Sequence, residues 1–171
     1  VLRVIAGLGA WQDFAAAGWP CAEAQAAALA DDIAYATHDV DDGLRAGLIT
    51  IEDLATAAIA GEIVATMPEV VRSAEPGRRH YDISRRMITA LIRDLVDSSR
   101  ASLRNLAPAG PDDIRGAGRP IIAFSSEMDL QLAGLKRFLF ARVYRHDRVM
   151  RVMAGAETIV RELFQRYSSD E

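Results

Sequence analysis

Residues 30–44 read Ala30-Asp31-Asp32-Ile33-Ala34-Tyr35-Ala36-Thr37-His38-Asp39-Val40-Asp41-Asp42-Gly43-Leu44, and five Asp and one His fall within twelve residues of this segment. Asp is a poor residue for a helix interior, because its short side chain competes for backbone hydrogen bonds. If the segment is helical all the same, four-residue spacing puts Asp31, Tyr35 and Asp39 on one stripe. A carboxylate, a phenol and a second carboxylate in a row can hold a divalent cation with a sugar or phosphate beside it. The same residues also suit a plainer arrangement, an exposed acidic face that supplies caps for the next helix. Farther along, Lys136 and Tyr144 stand eight residues apart, a little over two helical turns, and so share a face. A lone Lys there fits a polyphosphate, for which an ammonium acts as a point charge, or it is an ordinary solvated side chain.

The elements that must position these groups are all helical by pattern. Ala22, Ala26, Leu29, Ile33, Ala36 and Val40 alternate at four and three residues, which predicts a helix over 22–46. Thr50 followed by Asp53 is a capping signature and predicts a helix running to about Met67, with Pro68 and Pro76-Gly77 as punctuation. A long amphipathic helix is expected from Tyr81 to Leu106, its stripe made by Ile83, Met87, Leu91, Leu95 and Val96. Pro108 to Pro120 reads as a loop with at most one helical turn. Ser126 opens a helix to about Arg145, and a last helix reaches about Tyr167. Met87, Met128, Met150 and Met153 sit among apolar neighbours and read as core. Ile121-Ile122-Ala123-Phe124 is the one short candidate for a strand. The fold class is therefore all-α.

Composition agrees. The chain has 171 residues, of which 30 are Ala and only 6% aromatic, a mixture suited to packed helices rather than a β-sandwich. One helical domain over 1–171 is the expectation at this length. The first residues, Val1-Leu2-Arg3-Val4-Ile5, open without Met or a cap, as though in the middle of an element, so the chain reads as a piece of a longer protein. No signal peptide or membrane-spanning run is visible, and an intracellular, cytoplasmic place is expected. A single cysteine, Cys21, excludes an internal disulfide and a multi-cysteine zinc site, and it reads as structural. Trp11 and Trp19 lie near a turn expected at Gly18 and Pro20 and carry no functional signal. The basic residues are 19 Arg and one Lys, which with the abundant Ala points to a GC-rich genome. Residues 1–77 carry net −9 and residues 78–171 net +5. Such halves can gather cations and phosphates, or be two complementary faces of one bundle. The sequence pI of about 5.4 argues against nucleic acid as the main partner.

Glu23-Ala24-Gln25, Leu29 through Tyr35, and Thr37 through Gly47 together resemble the bacterial dGTPase-like branch of the HD-domain phosphohydrolases. The likeness extends through Arg85-Arg86-Met87-Ile88 to Leu135–Phe140 and Tyr144-Arg145-His146. It implies an HD-domain-like helical bundle lacking its N-terminal part, and hydrolysis of a deoxynucleoside triphosphate to a deoxynucleoside and triphosphate. In that family a His, a His-Asp doublet and a final Asp hold the metal. Asp31 matches the final Asp, while the other three have no counterpart in this chain. His38-Asp39 and His146-Asp147 are not the doublet by position, and His38 reads as a polar neighbour of the site. The resemblance also makes Tyr35, Asp39 and Tyr144 contacts to sugar and phosphate, Lys136 a phosphate clamp, and Arg145 a contact to phosphate or base. Arg85-Arg86 reads as a surface or subunit-contact pair. The implied cofactor is a divalent metal, Mg or Mn first, with Fe, Ni or Zn open. The implied partners are a deoxynucleoside triphosphate and further copies of the chain, with no membrane.

Two other readings stand beside this one: another HD-type nucleotide phosphohydrolase, and a helical interaction or regulatory module without chemistry. One carboxylate does not hold a catalytic cation. The 171-residue chain alone is therefore expected to release no triphosphate from dGTP in Mg or Mn. Turnover at the rate of an ordinary enzyme would place the metal site elsewhere in this chain.

Overall fold

The computed structural model describes residues 18–169. Every regular element among them is a helix. In chain order these are α1 (Ala22–Arg45), α2 (Ile51–Leu54), α3 (Ala58–Ala65), α4 (Glu69–Arg72), α5 (Pro76–Leu106), α6 (Pro111–Arg115) and α7 (Ser126–Leu139). A π-helical turn, Phe140–Tyr144, follows directly on α7, and α8 (Asp147–Ser168) comes last. None of them is long and apolar enough to cross a membrane. Trp11 and the opening residues 1–5 lie outside the described residues.

The Asp-rich segment is helical, embedded in an Ala-rich helix whose propensity offsets the cost of its Asp residues. It stops at Gly47, which takes φ +63°, while the Leu48 N–H turns back to the Gly43 carbonyl at 2.9 Å. Thr50 then caps α2: its hydroxyl accepts from the Asp53 N–H at 3.1 Å, and an Asp53 carboxylate oxygen accepts from the Thr50 N–H at 2.9 Å. That Thr50 N–H, with Arg142 beside it, holds the Asp53 carboxyl below its usual pKa.

The helix expected from Thr50 to Met67 is in fact two. Ala57 is extended, and the Thr56 hydroxyl donates to the Asp53 carbonyl at 2.6 Å instead of leaving the ladder undisturbed. The corner is tight. A Cβ at Gly61 would stand 2.6 Å from the Ala55 carbonyl oxygen. Beyond α3, Arg72 donates to the Met67 carbonyl at 3.0 Å and the Ala65 carbonyl at 2.7 Å, groups a helix end leaves unpaired.

α5 begins earlier than its apolar stripe, because Pro76 suits the first helical turn. Ile83, Met87, Leu91 and Leu95 are buried as their spacing predicts, whereas Val96 is exposed. Arg85 and Arg86 both pair with Asp82, at 3.0 and 2.5 Å. Burial pushes the Asp82 carboxyl up, but hydrogen bonds from Arg86 and Arg85 outweigh it and hold the group below its usual range. Met150 and Met153, expected in the core, are exposed on α8. Met128 is half-buried. The apolar stripe of α8 faces no described part of the chain, so apolar character alone misassigned them.

The described chain divides into two compact units. The first holds the residues up to Tyr35 with Thr89–Met128, and the second holds Ala36–Ile88 with the residues from Asp129. In the first unit the extended segment Ile121–Ser125 is no strand, because its N–H groups go to side chains. The Gln25 side-chain carbonyl accepts from Ile121 at 2.9 Å and from Ile122 at 3.1 Å. Ser99 accepts from Ala123 at 3.2 Å, and Asp94 accepts from Ser125 at 2.8 Å. The Gln25 amide group donates to the Pro20 carbonyl at 2.7 Å, so this buried side chain uses both of its ends. Gln25→Leu keeps the bulk and strands a buried donor. The expected loss is about 2–3 kcal/mol of stability in urea unfolding. A loss below about 0.5 kcal/mol would show that water replaces the carboxamide.

Candidate active site

The candidate residues fall on α1, α7 and the π-turn. Asp31 and Tyr35 belong to the first unit and are exposed, Tyr35 to 58%. Tyr35 is thus available to a ligand and is not a core aromatic. Asp39, Lys136, Tyr144 and Arg145 belong to the second unit.

There the geometry is built from the backbone outward. Gly43, on α1 one turn beyond Asp39, has no side chain. A Cβ in its place would meet Ile49 and Val143 at 3.0–3.1 Å. The missing Cβ lets α1 and the π-turn approach closely, and side chains lock the approach on either side. The Tyr144 hydroxyl donates to an Asp39 carboxylate oxygen, and Arg148 donates to the Ala46 carbonyl at 3.1 Å. Arg142 pairs with Asp53. Asp39 and Gly43 on α1, and Ala46 in the turn just after it, are thus three successive rungs along one edge.

The π-turn sets the register of the partner strip. In an unbroken α-helix, eight residues from Lys136 to Tyr144 would end about 80° past two full turns. The wider turn, closed by the Arg145 N–H on the Phe140 carbonyl at 3.1 Å, spends more residues per revolution and takes back part of that angle. The shared face inferred from spacing is therefore better served by the π-turn than by α-helix. Phe140 supports both neighbours. Its ring lies edge-on to Tyr144, centroids 6.3 Å apart, and the Arg145 guanidinium stands 5.1 Å over it. Phe140 was not singled out by type or spacing. An α-helix would already bring residues 140 and 144 together, and the π register adds residue 145.

Neither His-Asp dipeptide forms a metal doublet. His146 is the N-cap of α8, its Nδ1 accepting from the Arg148 N–H at 3.2 Å, and Asp147 is the first helical residue. His38 is exposed, and its neighbour Asp39 is engaged by Tyr144. Among the described residues no three His, Cys, Asp or Glu side chains converge where a metal could be held. Asp31 offers one carboxylate, and by themselves these residues do not fit a complete metal centre. A cavity of about 380 Å³ in the second unit, between α2, α3 and Arg79, is lined by none of the candidate residues.

Residues 122–171 match the family model described as a phosphohydrolase-associated domain. The chain is also similar to three curated proteins named deoxyguanosinetriphosphate triphosphohydrolase-like. The relative from Mesorhizobium japonicum is 46% identical over 86% of this chain and 37% of its own length. That from Parvibaculum lavamentivorans is 43% identical over 95% and 41%, and that from Bordetella pertussis 46% over 88% and 39%. The chain thus spans about two-fifths of the length of these relatives.

Tyr144→Phe removes the only donor of that side chain and leaves the half-buried Asp39 carboxylate without it. A loss of about 1–3 kcal/mol in stability is expected. Asp39→Asn keeps an acceptor for the hydroxyl and should cost less. Equal losses in the two variants, measured by thermal unfolding, would mean that the bond does not hold the π-turn.

Proposed function

Because this chain belongs to the deoxyguanosinetriphosphate triphosphohydrolase-like family, we propose that it supplies the sugar- and phosphate-binding side of an enzyme that hydrolyses deoxynucleoside triphosphates to deoxynucleoside and triphosphate. The observation that carries the reading is the Asp39–Tyr144 pair, held on a π-turn beside a stacked Arg145. π-turns inside helices concentrate at functional sites, where they re-aim a side chain.

Each residue then has a distinct task. Asp39 accepts from Tyr144 and keeps further lone pairs for a sugar hydroxyl, so the pair fixes the orientation of the ribose. Tyr144 adds an aromatic wall, and the exposed Tyr35 a second phenol. Lys136 balances triphosphate charge as a point cation, while Arg145, pre-oriented on Phe140, meets phosphate or base. Positioning of this kind lowers a barrier by removing the entropy cost of alignment. Asp31 is assigned as one ligand of a divalent cation, Mg or Mn first. The remaining ligands and the general base lie outside the described residues.

A second reading, a helical module without chemistry, is favoured by the lack of three converging ligands among the described residues. The two separate in a protein of the relatives' full length that carries this segment. Asp31→Asn keeps shape and loses charge, so it should abolish turnover and weaken metal binding together. Lys136→Ala should leave metal binding nearly intact and cost on the order of 2–4 kcal/mol in transition-state stabilisation. Neither change harms the helix, since Asn is no worse than Asp there and Ala is better than Lys. Titration calorimetry reads the metal and triphosphate release reads the chemistry. Full activity and metal affinity in Asp31→Asn would sink the assignment.

A further inference from the structure

Arg79, in the first turn of α5, is half-buried, and its Nε is closed off from solvent with no hydrogen-bond partner among the described residues. Folded proteins leave few such groups, because a buried donor without an acceptor costs free energy. This arginine also lines the cavity of about 380 Å³ in the second unit. Arg72 lines the same cavity and is held differently. Its Nε and one terminal nitrogen donate to the Met67 and Ala65 carbonyls, which fixes the plane of the guanidinium and leaves its second terminal nitrogen for a ligand. Among the described residues neither arginine has a carboxylate partner.

We infer that the cavity binds a small organic anion, one carboxylate on a short apolar tail, its head on Arg79 and Arg72 and its tail on Ile51, Val64 and Met67. This goes beyond the proposed function and does not depend on it. An oxyanion gives the buried Nε of Arg79 the acceptor that the chain withholds. Guanidinium donors suit the paired oxygens of a carboxylate. Ile51, Val64 and Met67 are better covered by a hydrocarbon tail than by water. The volume falls near the lower end for small-molecule cavities, so the tail is short.

Charge selects a single negative head. Two guanidiniums line the cavity with one exposed carboxylate, that of Glu52, and the balance is one positive charge. One carboxylate on the ligand neutralises it. A phosphate group, at about −1.5 to −2 near neutral pH, would overshoot and face Glu52 uncompensated. It would also meet the carbonyl end of α3, since Val64 and Ala65 close that helix and line the cavity.

Titration of the isotope-labelled 171-residue chain with hexanoate, followed by the NMR shifts of the Ala55, Gly61 and Val64 amides, tests the site. Saturable shifts with a Kd on the order of 1 mM are expected, weaker for acetate, which lacks the tail, and absent for hexanol, which lacks the charge. Arg79→Met keeps the stem, loses the donors and should raise the Kd about tenfold, with circular dichroism as the check on folding. If Arg79→Met does not fold, Arg79→Lys decides, since it keeps the charge, loses the fork and should weaken hexanoate about threefold. The inference fails if hexanoate gives no saturable shift, if inorganic phosphate or dGTP binds at these amides more tightly, or if the Arg79 variants bind as well as the parent. It fails equally if a protein of the relatives' full length binds no hexanoate, for then another segment of that protein fills the cavity.

Discussion

The second unit depends on one close approach, that of α1 to the π-turn across Gly43. Close packing has no slack at that point, since even a single Cβ would press on Ile49 and Val143 at 3.0–3.1 Å. Once the two backbones are that near, Tyr144 reaches Asp39 and Arg148 reaches the Ala46 carbonyl. Val40 and Leu44, on the inner side of the same helix, are buried at the same contact level. The acidic residues of one stripe are then sorted by what packs beside them. Asp39 is half-buried and bonded to Tyr144, while Asp31, two turns earlier, is exposed. An acidic helix that looks uniform in sequence is therefore not uniform in structure.

Much of the fold was legible because its signals are local. Alternating four- and three-residue spacing located α1 to within a residue at its C-terminal end, and the Thr50–Asp53 cap was readable from two side chains. What escaped the reading was set by close contacts that residue types do not announce. The break between α2 and α3 follows from the tight corner of Gly61 on Ala55, where a helix former such as Ala57 gives no warning. Ile121–Phe124 has the composition of a strand, yet its N–H groups are taken by Gln25 and Ser99, nearly a hundred and about two dozen residues earlier. Met150 and Met153 look like core residues until the absence of a described partner for α8 is seen.

The site divides in the same way. Asp39 and Tyr144 were identified from opposite ends of the chain and are joined by a hydrogen bond. That Lys136 and Tyr144 share a face was inferred from α-helical periodicity, which is not the geometry that delivers it. The π-turn does, and nothing in the residue types of Phe140–Tyr144 marks a π register. Phe140 was missed for the same reason, since its contact with Arg145, five residues on, belongs to the wider turn. His146-Asp147 shows the converse hazard. A dipeptide that could ligate a metal is fully explained by the start of a helix.

The Arg-rich composition gains a physical reading at the same turn. Arg142 donates through one guanidinium nitrogen to Asp53, Arg148 donates to a main-chain carbonyl, and Arg145 lies over the Phe140 ring. Each use exploits the planar, fixed geometry of a guanidinium, which can stack and donate at once and loses little freedom in doing so. An ammonium can do none of these as well. Lys136 is the one basic position of twenty that is not Arg. It is exposed and stands in the last turn of α7, before the π-turn. The guanidiniums of Arg142, Arg145 and Arg148 thus hold the scaffold of the turn in shape.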